Sequence, residues 1–267
     1  MQRSVGYTLL FAAAVCVVCA VVVAGSAVSL KERQDANATL DKQQNVLLAA
    51  GLKEEDEKLT AEEVEARFAS IQMKVIDLRS GEETTDIDPR TFDQKKATTD
   101  ANTSRRAPSN RAQVQRLPNH ALVYELFDDH GQLEMVILPI EGKGLWSTLY
   151  GFVALGSDLT TVRGLTFYDH RETPGLGGEV DNPRWKRLWP GRRVFDSLGE
   201  VVIEVIKGRA GSPEQDPHRV DGISGATITS RGVTHLVRFW LSEEGFSSYL
   251  ERLERQMDVT HEREEAA

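Results

Sequence analysis

At 267 residues the chain exceeds one average domain without requiring two. A formal charge of −9 excludes the basic stripe on which nucleic-acid binding depends. A hydrophobic fraction of 40% beside 27% charged residues is that of a globular protein, so most of the chain folds in water.

The N-terminus is the exception. Residues 5–30, VGYTLLFAAAVCVVCAVVVAGSAVSL, carry no charged side chain. The run is long enough for the roughly 20 apolar residues of a membrane helix, and longer than the roughly 7–15 residues of a signal-peptide core. It predicts a retained anchor over residues 1–34, although VVAGSA would also suit a cleavage site. Arg3 on one side and Lys31 and Arg33 on the other do not fix the orientation by charge. Cys16 and Cys19 form a C-x-x-C inside this run. With no further ligand nearby they read as small apolar residues in lipid, not as a zinc or redox pair.

Residues 35–118 read as a helical segment and a polar insertion. Leu40, Val46, Leu47 and Leu48 make a short apolar face, and Gly51 is placed to end the helix. Thr60 and Glu63 have capping-box spacing. Val64, Phe68, Ile71 and Val75 then fall near helical spacing, which predicts one amphipathic helix over residues 61–78. Residues 81–118 hold few large apolar side chains and read as a long loop.

Residues 119–257 change character. ALVYELFD and LEMVILPI flank the turn DDHGQ as a hairpin; GLWSTLYGFVALG, TVRGLTFYDH and VVIEVIKG follow as further strands. The segment SRGVTHLVRFWLSEEGFSSYLERLERQM is helical, with Val233, Leu236, Val237 and Trp240 at i, i+3, i+4 and i+7 and a break near Gly245. Residues 258–267 read as a polar tail. Strands first and then helices, without regular βαβ alternation, predict an α+β domain with an antiparallel or mixed sheet and flanking helices.

Three short segments carry candidate chemistry. In DGISGATITS, residues 221–230, Ser230 is the expected N-cap of the helix that follows. The turn then lies ahead of a helix N-terminus, whose free N–H groups and partial positive charge suit a phosphate. Gly222 and Gly225 permit close ligand approach, and Asp221 would hold the loop through its own downstream N–H groups. From the residues alone three readings stay open: a hydroxyl-rich turn, a serine nucleophile at Ser224, and a phosphate-bearing cofactor at Thr227. The nucleophile reading has Ala226 where G-x-S-x-G needs glycine, no strand running into Gly222, and its acid and base only at Asp258 and His261.

The second segment is DHRETPGLGGEV, residues 169–180. His170, Glu172 and Thr173 precede Pro174 and a glycine run at Gly175, Gly177 and Gly178. It is no dinucleotide fingerprint. It is either a tight surface loop or a backbone cradle for a flat ligand, with Leu176 as the apolar contact. One His and one Glu do not make a metal site. In the third segment, GKGLWSTLYG, residues 142–151, Trp146 is either core or a platform for a ring. Lys207 either neutralises a phosphate or ring charge or is an ordinary surface lysine.

D-G-x-S-G-A-T with x-T-S after it, ETPGLG at residues 172–177 and GxGLW at residues 142–146 together resemble the covalent FMN-binding subunits of sodium-translocating NADH:quinone reductase and the related Rnf complexes. LDKQQNVLLAAGL after the anchor is more similar to the sodium-translocating enzyme's flavin subunit than to its Rnf counterpart. The resemblance weakens only over residues 81–118 and after Met257.

It implies FMN joined by a phosphoester to Thr227, installed by a separate FMN transferase using FAD. It implies a cofactor-binding set of Thr227, Asp221, Ser224, Gly225, Ala226, Glu172, Thr173, Leu176, Gly177, Trp146 and Lys207, with no catalytic residue and no metal. It implies a single-pass inner-membrane protein with a periplasmic FMN-binding domain. That domain would relay electrons from NADH towards ubiquinone with the other subunits of a membrane complex that exports Na+. A threonine hydroxyl is a weak nucleophile without an activating base, in keeping with attachment by another enzyme. The alternatives are an Rnf-type subunit with the same chemistry and an anchored adaptor without cofactor.

Overall fold

The structure, a computed structural model, describes residues 4–265. Arg3, residues 266–267 and the His261 side chain lie outside what is described. The chain divides into two compact units, Met1–Lys42 and Gln43–Ala267.

Helix α1, Val5–Ala49, supplies the first unit. It is long and apolar enough to cross a membrane, and its side chains up to Thr39 are exposed. Such a surface is costly in water and suits lipid. Cys16 and Cys19 lie exposed on it as free thiols.

The second unit begins inside the last turns of α1. Gly51, at φ +71°, closes the helix as expected: its N–H reaches the Leu48 carbonyl at 3.1 Å, and the Leu52 N–H reaches Leu47 at 2.9 Å. The capping box also forms, with the Thr60 N–H donating to Glu63 Oε2 at 2.8 Å and the Glu63 N–H to Thr60 Oγ1 at 3.3 Å.

The helix so started is shorter than the sequence predicts. Helix α2 covers Ala61–Phe68, and residues 71–77 form strand β1, Ile71–Asp77. Ile71 and Val75 sit at helical spacing from Phe68, but they also occupy alternate strand positions. Pairing with β4, His120–Phe127, from Ile71↔Leu126 to Asp77↔His120, decides the matter. β-branched residues with a partner strand favour the pleated surface.

The polar stretch 81–118 is likewise not a loop throughout. It contains helix α3, Gln94–Thr99, and strands β2, Ser104–Arg106, and β3, Arg116–Pro118. Polar side chains hold it: Asp93 caps α3 by accepting from the Lys96 N–H at 3.1 Å, and the Arg116 guanidinium spans to the Ser104 hydroxyl and carbonyl, each at 2.7 Å. Such order leaves no apolar periodicity in the sequence.

The main sheet has the order β1-β4-β5-β6-β7, all antiparallel, with β5 at Leu133–Lys143, β6 at Thr148–Gly156 and β7 at Val162–Asp169. After it come a 3-10 turn, Gly177–Asp181, the short helix α4, Pro183–Lys186, and two-residue strands β8, Glu204–Val205, and β9, Arg219–Val220. The strand expected over 201–208 shrinks to β8 because its ends have other partners: Val201 bridges Phe195, and Gly208 accepts from Gly222. Helix α5, Thr227–Trp240, and helix α6, Ser247–Glu265, close the chain, so the tail is helical well past Met257.

Both faces of the sheet are covered. Val233, Leu236, Val237 and Trp240 of α5 are buried in one core with Val136, Leu138, Ile140 and Val153. On the other face Phe68 packs edge-on to Tyr124, Asn45 meets the Thr166 hydroxyl, and Ala49 approaches Gly164 so closely that a side chain there would collide with its carbonyl. α6 is tied down by a buried carboxylate. Glu125 accepts from the Tyr249 hydroxyl at 2.6 Å and pairs with Lys74 at 2.8 Å. Tyr249→Phe removes the donor that reaches Glu125 from α6. It is expected to lower stability by about 1.5–3 kcal/mol, the worth of a buried bond to a charged group, read as an earlier denaturant midpoint of the detergent-solubilised chain.

Candidate functional site

α5 starts four residues earlier than its sequence suggests. The N-cap is Ala226, which has no side chain to cap with, and Thr227 is the first helical residue. Ser230 is therefore not the cap. It lies in the first turn, buried, and its hydroxyl accepts the Ile223 N–H at 3.1 Å, which closes the glycine turn from inside the helix. Gly225 stands at φ +74°, a conformation that favours glycine. An uncapped start leaves N–H groups of the first turn facing outward with the positive end of the helix dipole. The Thr227 side chain is exposed there, as is Ser224, while Thr229 and Ser230 are buried.

Glu172 joins this turn to the other two segments. The residue is only 5% exposed. It accepts the N–H groups of Leu145 at 3.1 Å, Trp146 at 2.9 Å and Ser147 at 3.1 Å, and the Thr229 hydroxyl at 2.8 Å. Burial pushes the carboxyl up, but the Ser147 N–H, the Thr229 hydroxyl and the Trp146 and Leu145 N–H groups together outweigh it. They hold it below the usual glutamate range.

The glycines around Glu172 are spatially required. A Cβ on Gly177 would stand 2.5 Å from Glu172 Oε2 and 2.6 Å from Thr229 Oγ1, and one on Gly144 would stand 2.7 Å from Glu172 Oε1. Gly232 lets α5 lie directly on the backbone at Lys143. His170 braces the same loop: its Nδ1 accepts the Glu172 N–H at 3.2 Å, so Nε2 carries the proton towards Asp181 at 2.6 Å.

Asp221 departs from its expected role. Its carboxylate accepts from the Ala210 N–H at 2.8 Å, upstream in the chain, and its carbonyl takes the Trp185 Nε1–H at 2.9 Å. It ties the loop to the 206–210 segment and α4 rather than to its own downstream amides. That contact brings the segment carrying Lys207 beside the turn, since the Gly222 N–H bonds to Gly208 at 2.9 Å; the Lys207 side chain itself is exposed. Among the described residues, no histidine or carboxylate hydrogen-bonds to Ser224.

The exposed rim is apolar. Trp146 is 66% exposed, so it is not core, and with it Leu176, Leu145 and Ile228 stand outward. Leu176 reaches over Gly225, its Cδ2 3.0 Å from where a Cβ would be. Thr173 is exposed, and its carbonyl turns the loop by accepting from Leu176 and Gly178. Sequence patterning does not single out Leu145, Ile228 and Thr229; only their place inside GKGLW and GATITS points to them. A presented hydroxyl, outward amides and a ring of exposed apolar side chains fit a phosphate that carries a flat ring system.

An FMN-binding domain family matches residues 144–242, from the Trp146 loop to the end of α5. The chain is 48% identical over 253 residues to the NqrC subunit of the Na(+)-translocating NADH-quinone reductase of Yersinia pestis, covering 94% of this chain and 93% of that one. It is 46% identical over 258 residues to the same subunit of Pseudomonas aeruginosa, covering 95% and 98%. Among solved structures it is similar to Shewanella oneidensis NqrC, with a TM-score of 0.74 at 37% identity over 82% of this chain and 99% of that one. It is also similar to the corresponding subunit from Parabacteroides distasonis, with a TM-score of 0.63 at 28% identity over 83% of this chain and 96% of that one.

Glu172→Gln turns an amide NH2 towards one of the present donors and leaves it without an acceptor. The expected loss is about 1–3 kcal/mol of stability near neutral pH. Because the native carboxyl is held low, its contribution is present above the unfolded value of roughly 4.3 and is lost as pH falls through the lower native one. Unfolding midpoints compared near pH 7 and near pH 3 should therefore converge between wild type and variant at the acid end.

Proposed function

Because the chain belongs to the NqrC family of Na+-translocating NADH-quinone reductase subunits, we propose that the FMN of its FMN-binding domain is held by a phosphoester at Thr227 Oγ1. The observation that carries this reading is an exposed hydroxyl on the first residue of an uncapped helix. The same helix start offers N–H groups to the phosphate that the bond would bring there.

The attaching reaction forms a bond from Thr227 Oγ1 to the FMN phosphorus of FAD. It breaks the pyrophosphate bond and releases AMP, and the hydroxyl proton passes to a base. Asp221 is engaged with Ala210 and does not serve. A separate FMN transferase supplies that base, and this chain supplies the presented oxygen.

Once bound, FMN supplies reversible electron uptake and release. The chain's residues hold and orient it. Leu176, Trp146, Leu145 and Ile228 give the ring an apolar seat, Thr173 lines the loop edge, and Lys207 biases the local charge. Glu172 and Gly177 act beneath that seat: the carboxylate spends its oxygens on backbone and Thr229 donors, so it positions the loops rather than touching the ring. The α1 anchor would hold the domain at the inner membrane on the periplasmic side, where it relays electrons between neighbouring subunits on the way to ubiquinone while the complex exports Na+.

Mass spectrometry of the Thr227 peptide, after co-expression with an FMN transferase, tests the bond. The wild type should carry the FMN mass, Thr227→Ser should retain it and Thr227→Ala should lose it entirely. A wild-type peptide without that mass would overturn the reading.

A further inference from the structure

The polar insertion builds something besides loop. Across the sheet from α5, the ends of β5 and β6, helix α3 and the 113–116 segment line an open cavity of about 280 Å3. Glu141 and Lys143 of β5, Tyr150 of β6, Thr98 and Thr99 of α3, and Arg116 of β3 are among the residues that line it. Its wall is pre-organised. Asn110 grips Val114 through two hydrogen bonds at 3.0 and 2.9 Å, the Ala112 carbonyl takes the Lys143 N–H at 2.8 Å, and Gln113 is held at φ +55°, strained for a side-chain-bearing residue.

The charges in this cavity do not balance. Among the described residues, neither Lys143 nor Arg116 has a carboxylate partner: Lys143 Nζ donates to the Trp146 carbonyl at 3.0 Å, and Arg116 to Ser104. The hydroxyl protons of Thr98 and Thr99 go to carbonyls of α3, each at 2.8 Å, which leaves oxygen lone pairs for a donor. We propose that this cavity binds a small oxyanion that also carries a hydroxyl, its acidic group held by Arg116 and Lys143 and its hydroxyl by the α3 threonines.

Glu141 sets the pH range. Burial pushes its carboxyl up to about 7, opposed by Lys95. The charged and titratable groups around it are Lys95 of α3, Tyr150 of β6, Tyr168 and Asp169 of β7, and Arg116 and Lys143. Burial raises both tyrosines further from neutrality, and Lys95 also stands above its ordinary value, burial being outweighed by Asp169 at 2.8 Å. Protonated, Glu141 can donate to an anion; ionised, it repels one. Its protonated fraction falls roughly tenfold from about pH 6 to about pH 8, and anion affinity should fall with it.

Calorimetric titration of the full chain in detergent with sodium malate, against sodium chloride at matched ionic strength, is the test. Saturable malate binding that weakens roughly tenfold over that pH range is expected. Glu141→Gln should keep the binding and abolish its pH dependence. Arg116→Gln and, separately, Lys143→Gln should each weaken it by roughly tenfold or more, so a folding defect in one leaves the other decisive. Sodium sulfate, whose charge does not change over this range, distinguishes the source: competition with malate supports the same pocket serving inorganic or phosphoryl anions. No saturable heat beyond chloride, or undiminished binding in both cation variants, would overturn the proposal.

Discussion

One buried carboxylate governs the functional end of this domain. Glu172 lies out of water, and among the described residues no lysine or arginine pairs with it. A carboxylate in that position is tolerated only when donors replace its hydration, and here four do. Three are successive backbone N–H groups of the Trp146 loop and the fourth comes from the first turn of α5. Satisfying one charge thus fixes the mutual positions of three segments. Glycines at 144 and 177 are the steric counterpart, since any side chain there would occupy the space of the carboxylate oxygens.

How much of this is legible in the sequence follows from the kind of interaction involved. The hairpin, the two strands that follow it and the α5 stripe of Val233, Leu236, Val237 and Trp240 are readable because apolar burial leaves a period. Residues 61–78 mislead because Ile71 and Val75 satisfy both periods, and only the partner strand β4 decides between them. The start of α5 is hidden for a different reason. Ser230 has the right chemistry for a cap, but its hydroxyl turns back to Ile223, and the true cap is an alanine with no signal to give. Asp221 opens the D-G-x-S-G-A-T segment, yet its partner at Ala210 is a tertiary contact that no local rule predicts. The order within 81–118 is hard to read because caps and an arginine span share the work with only a few core side chains, Ala112, Val114 and Leu117, too few and too short-ranged to set a period.

The insertion and the apolar rim around Trp146 are not independent neighbours. Lys143 sits between them: it lines the polar cavity, its Nζ holds the Trp146 carbonyl, and its own carbonyl lies against Gly232 of α5. An anion that draws the ammonium group away would compete with the Trp146 backbone for the same donor. The apolar rim and the cavity behind it are therefore linked through a single flexible side chain, a short physical route between two surfaces of the sheet.

The distances in sequence spanned by Glu172 bear on the order of events as the protein matures. Its partners lie 25 to 27 residues before it and 57 after it. Contacts of that sequence separation must meet their loop-closure entropy before they reward it, so they are expected late in folding. Until then the turn around Thr227 lacks the brace at Thr229, and the Trp146 loop has nothing to hold it. Under the proposed attachment, a nascent or misfolded chain is a poor acceptor. The modification would then mark copies that have completed their fold, so that the coloured fraction of a preparation reports folding history as well as cofactor supply.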